Sequence, residues 1–158
     1  MLVDDDSKIR ASLPTISYLI KCGAKLLIAS HLGRPQEGRE RDPALSLRPI
    51  FDHLKALITP PSSSSSSDPT IQMEFVDDCI GEVVNQKKKT LQSGAILFLE
   101  NLRYHIEEEE NDAKFSQELA AGVDIFVQDA FGSCHRAHAS IAGITQFVPL
   151  SVGGFLLR

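Results

Sequence analysis

Short apolar runs alternate with stretches of helical period along this chain, and that alternation limits the folds open to it. Residues 24–29, 95–99 and 125–127 are short and almost wholly apolar, the pattern of strands buried on both faces. Residues 71–76 predict a further short strand. Between these runs, Ile9, Leu13, Ile16, Leu19 and Ile20 recur at helical spacing, as do Ile50, Phe51, Leu54, Leu57 and Ile58. A weak stripe at Ile80, Val83 and Val84 and a clearer one at Phe115, Leu119 and Ala120 predict two more helices. Strands alternating with helices predict a three-layer α/β/α fold, Rossmann-like, with a mainly parallel sheet covered on both faces.

Local signals set expected boundaries. Asp6 or Ser7 caps the first helix, Gly23 closes it, and Pro14 splits a short turn from a main helix beginning near Leu13. Ser46 caps the second helix with Pro49 in its first turn, and Asn111 caps the helix that carries Phe115. Residues 33–43 are rich in glycine, proline and charge and predict a loop. Residues 60–69, with the Ser62 to Ser67 tract, predict an inert, solvated Pro/Ser-rich loop. Lys87, Lys88 and Lys89 are expected to solvate the last turn of their own helix.

The chain has 158 residues, 42% hydrophobic and 23% charged, which suits one soluble domain. A net charge of -5 argues against a general nucleic-acid binder. No apolar run approaches the roughly 18–20 residues that span a bilayer, so no membrane partner is expected. The first residues, Met1 to Asp6, carry no targeting signal. Cys22, Cys79 and Cys134 are far apart and suggest buried or inert thiols rather than a zinc or redox motif.

In open parallel sheets, ligands bind beyond the carboxyl ends of the strands. Three predicted strands end in basic clusters: Ser30-His31-Leu32-Gly33-Arg34-Pro35, then Glu100-Asn101-Leu102-Arg103-Tyr104-His105, then Asp129 through His138 with His135 and Arg136. A parallel sheet brings these ends to one edge. Arginine forks and histidine donors gathered there suit a small, multiply charged anion. No phosphate-binding glycine loop of the Walker type is present, and no G-x-G-x-x-G follows a strand. His53 is expected to be a bystander, and His105 to pair with the acidic run from Glu107 to Glu110. That run is expected to form a solvated face rather than a metal site. Cys134 beside His135 does not make a nucleophile–base pair.

These clusters resemble signature stretches of the phosphoglycerate kinase family. The resemblance extends through Asp129-Ala130-Phe131-Gly132, His135-Arg136-Ala137-His138-Ala139-Ser140, Phe75-Val76-Asp77-Asp78-Cys79-Ile80-Gly81 and Gly153-Gly154-Phe155-Leu156, and it runs essentially from end to end. It implies an incomplete N-terminal, phosphoglycerate-binding domain over residues 1–158, with the nucleotide-binding C-terminal domain absent. It implies the reversible transfer of a phosphoryl group between 1,3-bisphosphoglycerate and ADP, giving 3-phosphoglycerate and ATP. It implies His31, Arg34, Arg103, His135, Arg136 and His138 as substrate-binding residues for 3-phosphoglycerate or 1,3-bisphosphoglycerate. Lys8 stands where the family usually has a catalytic arginine. Mg-ATP or Mg-ADP serves the full-length family, with no cofactor or metal site expected in this chain.

The resemblance also implies that the family's first strand, interior to the sheet, has no counterpart here. A protein partner could complete the sheet in its place. Family members are usually monomeric and work in the cytoplasm or the plastid stroma. This chain alone is expected to be inactive. A reading from another class is a non-catalytic interaction or regulatory protein derived from the family.

Overall fold

The computed structural model describes residues 5–35, 41–59 and 71–157. The predicted 60–69 loop falls outside them. Helix α1 (Ser7–Lys21) leads to strand β1 (Leu26–Ile28), α2 (Arg48–Ile58), β2 (Met73–Val76), α3 (Glu82–Thr90) and β3 (Ile96–Leu99). Then come α4 (Ile106–Glu109), α5 (Ala113–Ala120), β4 (Ile125–Gln128) and β5 (Leu150–Gly153). All strand pairs are parallel.

The strands form two sheets. One has the order β1-β3-β2 and the other pairs β4 with β5. Strand β3 is central, and all four of its residues are buried. In its register, Ile96 lies between Leu26 and Met73, and Phe98 between Ile28 and Phe75. Side chains of successive strand residues point to opposite faces, which builds two cores. Phe98 packs with Phe51 and Leu54 of α2 and with Ile9, Leu13 and Ile16 of α1. Leu97 and Leu99 pack on the other face with Val84 of α3 and with Phe115 and Leu119 of α5. The expected α/β/α layering is thus present, and each fully buried leucine contributes about 1.5–3 kcal/mol.

Several local expectations need correction. Helix α1 is continuous through Pro14, which faces solvent, where the helical hydrogen bond it removes costs least. Its start has no side-chain cap, because Asp6 instead accepts from Arg10 Nε at 2.8 Å. Asp112, not Asn111, caps α5, accepting from the Phe115 N–H, while Asn111 takes a left-handed conformation with φ 57°. Helix α2 starts at Arg48 with Leu47 as its cap residue, and Ser46 Oγ accepts from the Arg48 N–H. No apolar run predicts β5, yet it pairs in full with β4.

Of Lys87, Lys88 and Lys89, two have partners outside their own helix end. Lys87 pairs with Glu74 on β2. Lys88 donates to the carbonyls of Leu119 and Ala121, each at 3.1 Å, closing the end of α5.

Candidate functional site

The carboxyl ends of β1 and β3 are clipped together before any ligand is considered. The Leu102 N–H donates to Ser30 O, and Arg103 Nη1 donates to Gly33 O at 2.6 Å. Gly33 has φ +64°, and a Cβ there would lie 2.5 Å from a Leu45 methyl, so this turn requires glycine. The result places His31 beside Arg103.

The third arm arrives from beyond β4. Glu108 of α4 is 1% exposed and anchors it. Its carboxylate accepts from the Ser140 N–H at 2.9 Å and from Ser140 Oγ at 2.5 Å, and its carbonyl accepts from the Ala139 N–H. His138 Nδ1 stands 3.7 Å from Glu108 Oε1. The acidic run is therefore not a solvated face throughout. Four consecutive glutamates cannot all point outward on a helix, and Glu108 turns in.

The charge environment of His31 locates the cluster. Burial holds its pKa down at about 4, helped by the positive charge of Arg103, His138 and Arg136, with Glu109 opposing. The charges of these four groups act on one imidazole, which is neutral at physiological pH. Arg103 is nearly enclosed, and its Nε lies 3.3 Å from Glu109 Oε1 without hydrogen-bond alignment. Arg34 and His135 sit on the exposed loops of this edge, and neither side chain bonds to another described residue. Lys8 is exposed on the first turn of α1, where its carbonyl accepts from Ser12 Oγ at 3.2 Å.

Two other histidines depart from expectation. His53 is tied to Asp6 by a 2.9 Å contact. His105 pairs with Asp78 at 2.7 Å rather than with the acidic run, and its ring lies 5.2 Å from that of Phe115. Burial pushes the Asp78 carboxyl up, but hydrogen bonds from the Cys79 N–H, His105 and Arg41 outweigh it and hold it below the ordinary range. Asp78, Cys79 and His105 bring three potential ligand atoms together. Their chemistry does not suit magnesium, which takes hard oxygen ligands. Burial keeps the Cys79 thiol protonated, donating to Glu100 O, and Arg41 already holds Asp78.

Sequence reasoning missed Glu100 and Asn101 as organisers of this edge. Glu100 is 6% exposed and accepts from Ser46 Oγ and from the N–H groups of Leu47 and Asn101, each at 2.7 Å. The available signal was a polar pair directly after a wholly apolar strand.

The family model for phosphoglycerate kinase matches residues 1–158. The chain belongs to the phosphoglycerate kinase family. A phosphoglycerate kinase of Acidobacterium capsulatum is 46% identical over 156 residues, covering 99% of this chain and 37% of the relative. A chloroplastic phosphoglycerate kinase of Volvox carteri is 44% identical, covering 100% of this chain and 31% of the relative. The structure of phosphoglycerate kinase from Coxiella burnetii superposes with TM-score 0.77 at 30% identity, over 99% of this chain and 35% of that one. The chain thus spans about a third of the length of these phosphoglycerate kinases. No helix among the described residues is long and apolar enough to cross a membrane.

Proposed function

We propose that this chain carries a phosphoglycerate-binding edge of the family's phosphoryl-transfer reaction, holding 3-phosphoglycerate or 1,3-bisphosphoglycerate at the carboxyl ends of β1 and β3. One observation carries the reading: Arg103 Nη1 donates to Gly33 O at 2.6 Å, which ties the loop of His31 and Arg34 to Arg103 at the carboxyl ends of β1 and β3. Arginine forks match carboxylate and phosphate oxygens, and a partly dry setting strengthens each contact. Arg34 and His135, exposed on the same loops, extend the edge. Their role is to bind and orient the phosphoglycerate, since phosphoryl transfer depends mainly on positioning and charge stabilisation.

Lys8 is exposed on the first turn of α1, and its ammonium cannot reproduce an arginine fork. The family resemblance assigns the magnesium nucleotide of the full reaction to a part of the family's length outside the third that this chain spans. Calorimetry with 3-phosphoglycerate tests the reading. Arg136→Ala should weaken binding by about tenfold or more, given roughly 1.5–3 kcal/mol per charge-assisted bond, and should reduce its salt dependence. Equal binding by both proteins would remove the edge from the reaction.

A second reading, a non-catalytic interaction protein, is favoured by the split sheet. Strand β1 pairs only with β3, and β4 only with β5, among the described residues. Leu27 of β1 and Phe126 of β4 nevertheless pack on one core, and α1 joins the two parts through Thr15 Oγ1, which accepts from the Phe155 N–H at 3.0 Å. Gln128 Nε2 and Asp129 Oδ2 are buried there without hydrogen-bond partners. A strand from a protein partner would pair with both free edges. A peptide with the sequence of the family's opening strand should raise the thermal midpoint, and no change would rule this reading out.

A further inference from the structure

We propose that Asn101 is the positioning residue of the anion-binding edge, fixing the His31–Arg34 loop against Arg103 through a single buried amide. This rests on the phosphoglycerate-binding reading above and adds to it a residue that need not touch the ligand.

Asn101 is 0% exposed, and its amide is fully used. Oδ1 accepts from the Leu32 N–H at 3.2 Å and from the Arg103 N–H at 3.1 Å. Nδ2 donates to Leu32 O at 2.8 Å and to Leu45 O at 2.9 Å. Two donors and two acceptors thus meet two carbonyls and two N–H groups, so the amide has one consistent orientation. Both hydrogen-bonding groups of the Leu32 peptide backbone go to this one side chain. Leu32 adjoins His31 and Gly33, and Gly33 O receives Arg103 Nη1.

The consequence is geometric. Leu32, just after β1, lies 69 positions from Asn101 in sequence. Without the amide, Leu32 would have two partly buried backbone groups to satisfy elsewhere, and the loop would move to reach water. His31 would then leave the neighbourhood of Arg103, whose own backbone N–H would also be released. A misplacement of about 1 Å in a positioned group can cost on the order of 100-fold in function. Aspartate has the same shape but cannot donate to Leu32 O and Leu45 O, so shape alone does not supply the role.

The test follows the histidine rings by NMR in the folded chain, with and without 3-phosphoglycerate. In Asn101→Ala, His31 should titrate about one unit or more above its value in the parent protein, because burial and the nearby positive charges both relax. The groups that face it are Arg103, His138, Arg136 and Glu109. His53, paired with Asp6 just before α1, is the control ring remote from Asn101 in sequence. The dissociation constant for 3-phosphoglycerate should rise about tenfold or more. A folded Asn101→Ala protein with unchanged His31 titration and unchanged affinity overturns the proposal.

If the parent protein binds no 3-phosphoglycerate, the phosphoglycerate reading fails, and the His31 titration still decides the positioning role. If Asn101→Ala does not fold, Asn101→Asp takes its place. It should weaken binding about fivefold or more in the parent background and far less in His31→Gln, because both changes act through one loop. Fully additive losses would overturn the proposal.

Discussion

Glu109 Oε1 lies 3.3 Å from Arg103 Nε, so the enclosed arginine of the proposed anion-binding edge already faces a carboxylate of this chain. Glu109 is half exposed and Arg103 is not, which makes Glu109 the partner free to swing away. An incoming phosphate must displace it. We therefore expect Glu109→Gln to tighten 3-phosphoglycerate binding about two- to fivefold, the scale of a partly exposed ion pair. Calorimetry measures this, and unchanged or weaker binding would show that Glu109 does not compete.

His31 makes stability depend on pH. Its folded pKa of about 4 lies below the ordinary 6.5, mainly through burial and then through Arg103. Between those values the unfolded chain binds more protons than the folded one, so stability rises with pH across that window. The contribution is fully present above the unfolded value and is lost as pH falls towards about 4. Chemical denaturation at several pH values should show this slope in the parent protein. The slope should flatten in His31→Gln, and an equal slope in both would contradict the assignment.

Glu108 is a buried carboxylate that stabilises by holding the 138–140 segment. Glu108→Ala leaves the Ser140 N–H and hydroxyl without their acceptor, at a cost of about 2–4 kcal/mol. Thermal unfolding should show a clear drop in midpoint, and His138 should become mobile on the NMR timescale. A midpoint within error of the parent would refute the anchoring role.

Lys88 acts on a different part of the fold. Its donation to Leu119 O and Ala121 O closes α5, whose Phe115 and Leu119 lie in the core. Lys88→Met keeps the stem and removes the donors. It should cost about 1–2 kcal/mol without altering 3-phosphoglycerate affinity. A change in affinity larger than twofold would tie α5 to the anion-binding edge.

The layering was legible in the sequence because β3 is apolar at every position and α2 and α5 have clear stripes. The two core faces follow directly from alternation along Ile96, Leu97, Phe98 and Leu99. The meeting of the runs after β1 and β3 was legible because paired parallel strands bring their carboxyl ends together, whereas the run after β4 leaves a second sheet. What hid the rest was pairing across long sequence separations. Glu108 sits in a run that looks like solvated charge, and only the approach of Ser140 shows it to be interior. Lys88 looks like a helix-end lysine until α5 is seen beside it. Strand β5 carries Ser151 and Gly153, so its pairing with β4 depends on tertiary position rather than on an apolar run. Periodicity alone predicts one continuous sheet, whereas the described strands form two, β1-β3-β2 and β4-β5.

The central claim is that His31, Arg103 and Arg136 form one anion-binding edge. The most direct measurement is an NMR titration of the chain with 3-phosphoglycerate, repeated for Arg136→Ala. The account predicts saturable shifts at His31, Arg103 and His138, none at His53, and about tenfold weaker saturation in the variant. Equal shifts at His53 and His31, or saturation unaffected by Arg136→Ala, would contradict it.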